Sequence, residues 1–77
     1  MAMSNLDLLK SAIVDMYCID WSETDGSDVR QVLRDYGLTA GSITKDELAS
    51  VSGINLFMRD LIGECLGMGR HAFSGAR

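Results

Sequence analysis

Proline is absent from this 77-residue chain, and aromatic bulk is limited to Tyr17, Trp21, Tyr36, Phe57 and Phe73. Any core must therefore be mostly aliphatic. Cysteine is scarce as well. Cys18 and Cys65 stand far apart with no Cys-x-x-Cys pair, which excludes the dense framework of a secreted disulfide scaffold. Both are expected to be reduced, buried thiols. No stretch reaches the ~18 apolar residues that a membrane-spanning helix needs, and "MAMSNLDLLK" has no basic residue ahead of its apolar positions and carries Asp7. No membrane association and a cytoplasmic location are the expectation. Basic residues are in the minority, seven against eleven acidic, for a net charge of -4. That sign is wrong for a protein that holds a polyanion unaided, so nucleic acid is an unlikely partner.

What the chain does have is helical periodicity. An apolar fraction of 47% with a mean hydropathy of +0.09 is generous for so short a chain. A domain of this size buries a smaller share of its surface than a larger one, so help from a partner is plausible. Ser4 and Asp7 form a capping pair, after which Leu6, Leu9, Ile13 and Met16 share one helical face, predicting a first helix to about Cys18. Ser27 or Asp28 is placed to cap a second, with Val29, Val32, Leu33 and Tyr36 as its stripe and Gly37-Leu38 as a left-handed stop. Thr44 and Glu47 match a capping box, and Ile43 and Leu48 have the spacing of a hydrophobic staple, so a third helix is expected from Lys45. "SGIN" interrupts it, and from Asn55 the run "LFMRDLIGECLGM" is apolar over more than half its circumference. Residues 70–77 lack any period and read as a flexible tail. With no period-two alternation and no internal repeat, the expectation is one all-α domain over residues 1–77, a small bundle of three to four short helices.

The acidic stretch "CIDWSETDGSDVRQVL" has the look of a calcium loop, which needs oxygen ligands at positions 1, 3 and 5, glycine at 6 and glutamate at 12. Counting from Asp20 puts Asp25 at the glycine position and Gln31 at the glutamate position. Aligning Gly26 instead puts Trp21 first and Val32 last. Both registers fail, and a solvated acidic turn that favours the following helix through its dipole is the better reading. "GMGRHA", residues 67–72, fits a dinucleotide fingerprint only in its glycines, because a helical pattern precedes it and no βαβ unit surrounds it. His71, the only histidine, lies in the aperiodic tail apart from any nucleophile arrangement. No cofactor, metal or enzymatic role is therefore expected.

Two readings remain. The segment Thr44 to Leu66 spaces Leu48, Ala49, Gly53, Ile54 and Ile62 as in a helix-turn-helix, although Ser52 falls where an apolar residue usually packs and Arg59 at an interior site. A DNA-binding regulator using residues 44–66 is the alternative. In that case Arg30, Arg34, Lys45 and Arg59 should gather on one face to meet phosphates. The favoured expectation is a non-enzymatic regulator or inhibitor that binds another protein. Its site is Trp21 with Asp20, Glu23, Asp25 and Asp28, where tryptophan is either an interface anchor or a lid over the junction of the first two helices, and the acidic rim steers a basic patch. In size and charge the chain resembles small phage-encoded proteins that act on host factors. A homodimer is expected through Phe57, Leu61, Gly63, Leu66 and Gly67, the two glycines lying four apart on one helix. Because neither calcium-loop register supplies the twelfth-position carboxylate, millimolar calcium is expected to leave the melting temperature unchanged. A rise of several degrees with magnesium inert overturns this.

Overall fold

Three of the four helices begin where a side chain takes up an otherwise orphaned amide, which fixes their starts locally. The computed structural model describes residues 3–74, and over these the chain forms α1 (Asn5–Met16), α2 (Ser27–Asp35), α3 (Lys45–Ala49) and α4 (Leu56–Cys65) with no strand. Ser4 Oγ accepts the Asp7 amide at 3.1 Å ahead of α1, and Asn55 Oδ1 accepts the Met58 amide at 2.8 Å ahead of α4. Before α3 the capping box is complete: Glu47 N–H donates to Thr44 Oγ1 at 3.1 Å and Thr44 N–H to Glu47 Oε1 at 2.8 Å. The staple closes too, with Ile43 and Leu48 both buried. α2 departs from expectation. Its cap is Gly26 at φ 96°, and Ser27 is already inside the helix. The reason is tertiary: a side chain at Gly26 would stand 3.3 Å from Leu61, so the chain turns there on a glycine pressed against α4.

Both α2 and α4 end in the same left-handed motif. Leu38 N–H returns to Leu33 C=O and Gly37 N–H to Arg34 C=O, each at 2.9 Å, while Met68 returns to Gly63 at 2.9 Å and Gly67 to Glu64 at 3.1 Å. Gly37 stands at φ 75° and Gly67 at φ 83°. Gly67 is thus a helix stop rather than a member of a helical face.

The core is aliphatic, as composition requires. Leu9, Ala12, Ile13 and Met16 from α1 meet Val29 and Leu33 from α2, Leu48 from α3 and Ile62 from α4. No aromatic ring is fully buried, and no buried polar or charged residue is found among the described residues. Each fully buried leucine or isoleucine contributes roughly 1.5–3 kcal/mol. Polar clasps then tie distant segments over this core. Tyr17 Oη donates to Gly53 C=O at 2.7 Å, Asn5 Nδ2 to Ser42 C=O at 3.1 Å, and Tyr36 Oη to Asp15 Oδ2 at 2.5 Å. That carboxylate, helped by partial desolvation, raises the Tyr36 phenol above its ordinary range. A raised folded value means that the clasp stabilises fully below the ordinary phenol range and is lost as pH rises through the raised one.

Two expectations are corrected by these contacts. Residues 70–74 are no loose tail, because Phe73 and Ser74 amides both donate to Asp60 Oδ1, at 2.8 and 3.2 Å, and Phe73 packs against the core. Residues 75–77 lie outside the described part of the chain. Cys18, expected to be buried, is exposed, because α1 ends at Met16 and its thiol only turns back to Asp15 C=O at 3.0 Å. Cys65 is half-buried, and both cysteines are free thiols. Among the described residues no helix is long and apolar enough to cross a membrane.

Gly37 supplies a clean test of the α2 stop, since nothing lies within 4 Å of the position a methyl group would take there. Gly37→Ala is therefore expected to lose about 1 kcal/mol of stability through backbone strain alone, and Gly37→Asn less, as measured by urea denaturation. Equal stability of all three proteins would contradict a left-handed stop.

Candidate functional site

α4 is apolar on two sides, and only one of them faces the core. Met58, Ile62 and Gly63 are buried inward. On the outside, Leu56 is 49% and Phe57 56% exposed, with Leu61 half-buried four residues further along the same face. This division corrects the expected dimer face. Phe57 and Leu61 do lie outward, but Gly63 and Leu66 belong to the interior of the same chain, where the Gly63 backbone is closed over by Phe73, Leu48 and Met68. A helical turn advances 100° per residue, so Leu61 and Gly63, two apart, point away from each other.

Trp21 binds the acidic loop to this outer face. Its indole N–H donates to Met16 C=O at 3.0 Å, a carbonyl that also accepts the Ile19 amide at 3.0 Å at the end of α1. Its ring meets Phe57 edge to face, with centroids 6.4 Å apart and planes at 84°. Half-buried, Trp21 thus covers the end of α1 and packs beside Phe57 with the same side chain. Further along, Gly26 lies against Leu61, and the Cys65 thiol donates to Gly26 C=O at 3.7 Å. The loop thus runs along one flank of α4. Burial pushes the Cys65 thiol up, which keeps it protonated at neutral pH.

The carboxylates of the loop point into solvent. Asp20, Glu23, Asp25 and Asp28 are all exposed, and the partners that order them are uncharged. Asp20 accepts from Ser22 N–H at 3.2 Å and Ser22 Oγ at 2.7 Å, and Asp25 accepts from Ser27 N–H at 2.9 Å. The hydrogen bonds from Ser27 hold the Asp25 carboxyl below its usual range, with Arg30 adding a smaller pull. Any stability it lends is present above the ordinary carboxylate range and is lost as pH falls through the lowered value.

On the other flank of α4 stands the 70–74 strap held by Asp60. Between α4 and the strap lies a groove of about 410 Å³ lined by Leu56, Phe57, Asp60, Leu61 and Glu64 from the helix and by Arg70, His71 and Ser74 from the strap. His71 stands in the left-handed region at φ 56°, where the strap reverses after Gly69. Leu56, Asp60, Arg70 and His71 were not expected at a site. For Leu56, Asp60 and Glu64 the i, i+4, i+8 spacing was a usable signal, whereas nothing in "GRHAFS" indicates that the strap returns to α4. Chemically the arrangement offers an apolar slot with a carboxylate flank. Among the described residues no cluster of histidine, cysteine and carboxylate side chains is placed to hold a metal ion.

The helix-turn-helix spacing resolves into packing. α3 is five residues long and the connection to α4 spans 50–55, longer than the three- or four-residue turn of DNA-reading units. Arg59, the one base-reading cation on offer, is half-buried and donates to Val51 C=O just after α3, while Lys45 lies over the Phe73 ring at 5.8 Å. Arg59 and Lys45 are thus engaged within the chain, away from the phosphate-facing role the alternative reading gave them. Comparison with protein-family models, curated proteins and solved structures finds no match to this chain.

Trp21→Phe keeps most of the ring and removes the indole donor. It is expected to lower stability by about 1 kcal/mol, the net value of one hydrogen bond, in thermal or urea unfolding. An unchanged midpoint would mean that the indole bond adds nothing to the Ile19 amide that the Met16 carbonyl also accepts.

Proposed function

We propose that the protein is a non-enzymatic regulator or inhibitor that works by binding another protein. Its contact face is Leu56, Phe57 and Leu61 with the edge of Trp21, and its rim is Asp20, Glu23, Asp25 and Asp28. The observation that carries this reading is the adjacent pair Leu56 and Phe57, both about half exposed beside a tryptophan, in a chain that buries its other leucines more deeply. Contiguous exposed apolar surface rimmed by polar groups marks interaction sites, and aromatic anchors supply most of the binding energy at such sites. Exposed rim charges of one sign act mainly on encounter, which favours a partner with a basic patch.

Self-association falls on the same face in this reading, because Gly63 and Leu66 are occupied by the chain's own core. A homodimer and a partner complex then compete for Phe57 instead of using separate surfaces.

The test is Phe57→Glu, which introduces a charge at an exposed position and is expected to leave the melting temperature within a few degrees of wild type. Affinity capture from a lysate of the source cells is expected to recover a partner with wild type and to lose it with the variant. Recovery of the same partner in equal amount by the folded variant would remove this face from the proposal.

A further inference from the structure

Resting on that reading, the partner's own structure is the next question. We infer that the groove between α4 and the 70–74 strap receives a short amphipathic helix of another protein. Its apolar side chains enter beside Leu56, Phe57 and Leu61, and its cationic flank lies toward Asp20, Glu23, Asp25 and Asp28.

Length and shape come first. The groove follows α4 from Leu56 to Glu64, a rise of about 12 Å, which matches about two turns of a helix laid alongside. Among the described residues there is no strand, so the groove has no sheet edge on which an extended peptide would gain main-chain hydrogen bonds. Leu56, Phe57 and Leu61 give it an apolar strip along α4, with polar side chains around it, which suits helix-in-groove recognition, in which apolar anchors recur at i, i+3 or i+4 and i+7.

Charge sets the chemistry and the orientation. From Asp15 to Asp28 the chain holds five carboxylates and no base, and the Trp21–Phe57 and Gly26–Cys65 contacts fasten that stretch to α4. The strap wall carries Arg70, while α4 adds Asp60, which the strap amides engage, and Glu64 to the lining. A helix with lysine or arginine along one edge of its apolar stripe gains from the loop and keeps those charges away from Arg70. Reversed, it meets repulsion at Arg70 and leaves the carboxylates unpaired. A second copy of this chain is the weaker occupant, since it brings a net charge of -4 toward an acidic rim.

The probe is a fluorescein-labelled 14-residue peptide of leucine and lysine, with leucine at helical spacing on one face, followed by anisotropy. Two controls accompany it: the same composition scrambled, and the same pattern with glutamate in place of lysine. The patterned lysine peptide is expected to bind saturably, more weakly as salt rises, and at least tenfold more tightly than either control. Phe57→Glu is expected to weaken it about tenfold or more, with Leu56→Glu as the second variant should Phe57→Glu fail to fold. The combined Asp20→Asn, Glu23→Gln, Asp25→Asn protein is expected to flatten the salt dependence. Equal binding of the scrambled peptide would reduce the effect to net charge and overturn the helix, and equal binding of the glutamate peptide would overturn the cationic flank. If no peptide binds while lysate capture still depends on Phe57, the docking face stands and the helical partner falls. If capture is also independent of Phe57, both fall. Light scattering that reports a Phe57-dependent dimer excluding the lysine peptide would make a second copy the occupant.

Discussion

The groove beside α4 depends on a missing side chain. Gly63 sits on the inner side of α4, and a methyl group there would lie 3.1 Å from the Phe73 ring and 3.5 Å from Leu48 and Met68. The bare backbone lets the Phe73 ring sit a few tenths of an ångström closer than a methyl group would allow, while Leu48 and Met68 would meet that methyl at ordinary contact distance. Phe73 is what draws the strap onto the helix, and Asp60 then locks it by accepting two successive amides. Without that approach the second wall of the groove has no anchor, and the outer face of α4 would be a flat apolar surface. One position inside the core thus determines the shape of a site on the opposite side of the same helix.

That helix carries two apolar faces in a chain too small to bury both. The inner face takes Ile62 and Leu66 into a core already supplied by α1 and α2, and its close fit leaves no space for Leu56 or Phe57. Rotating α4 to bury Phe57 would expose Ile62 and bring Glu64 toward the core, exchanging one apolar burial for another with an added desolvation cost. The observed orientation is therefore strongly favoured, and the outer face stays in water unless something else covers it. The loop from Asp20 to Asp28 covers part of it through Trp21 and Gly26, which leaves the acidic side chains as the border of what remains.

The local features of this architecture were legible in the sequence, and the long-range ones were not. The Thr44 and Glu47 box, the Ser4 and Asn55 starts and the Gly37-Leu38 stop depend on residues within five positions of one another, so spacing alone identifies them. Gly26 displaced Ser27 as a cap because of its contact with Leu61, thirty-five positions away, and no local pattern carries that information. The same holds for the strap, where an aperiodic segment is ordered by one carboxylate on another element. For the site, Trp21, its acidic neighbours, Phe57 and Leu61 could be named from composition and helical spacing. Sequence separated them into a partner site and a dimer face, and the ring contact between Trp21 and Phe57 joins them. Gly63 and Leu66 were assigned to the wrong side because a helix that is apolar nearly all round has no stripe from which to read its inner face.

Charge and stability are separated in this molecule. No charged residue is fully buried among those described, and the core clasps come from tyrosine, asparagine and tryptophan donors to carbonyls and to the exposed Asp15. Arg59 is the nearest exception: it fastens the turn between α3 and α4 through Val51, and its Nε is buried without an acceptor. An unpartnered donor of that kind costs of order 1–3 kcal/mol, which offsets what the bond to Val51 contributes. The carboxylates at Asp20, Glu23, Asp25 and Asp28 carry no comparable structural duty beyond local serine contacts. Solvent-exposed charges with little role in folding are free to vary without unfolding the chain. Their field extends about 8–10 Å into solvent at 0.1–0.15 M ionic strength. An acidic loop tied to α4 by a tryptophan, beside apolar side chains that the core leaves exposed, is the arrangement on which the proposed partner contact rests.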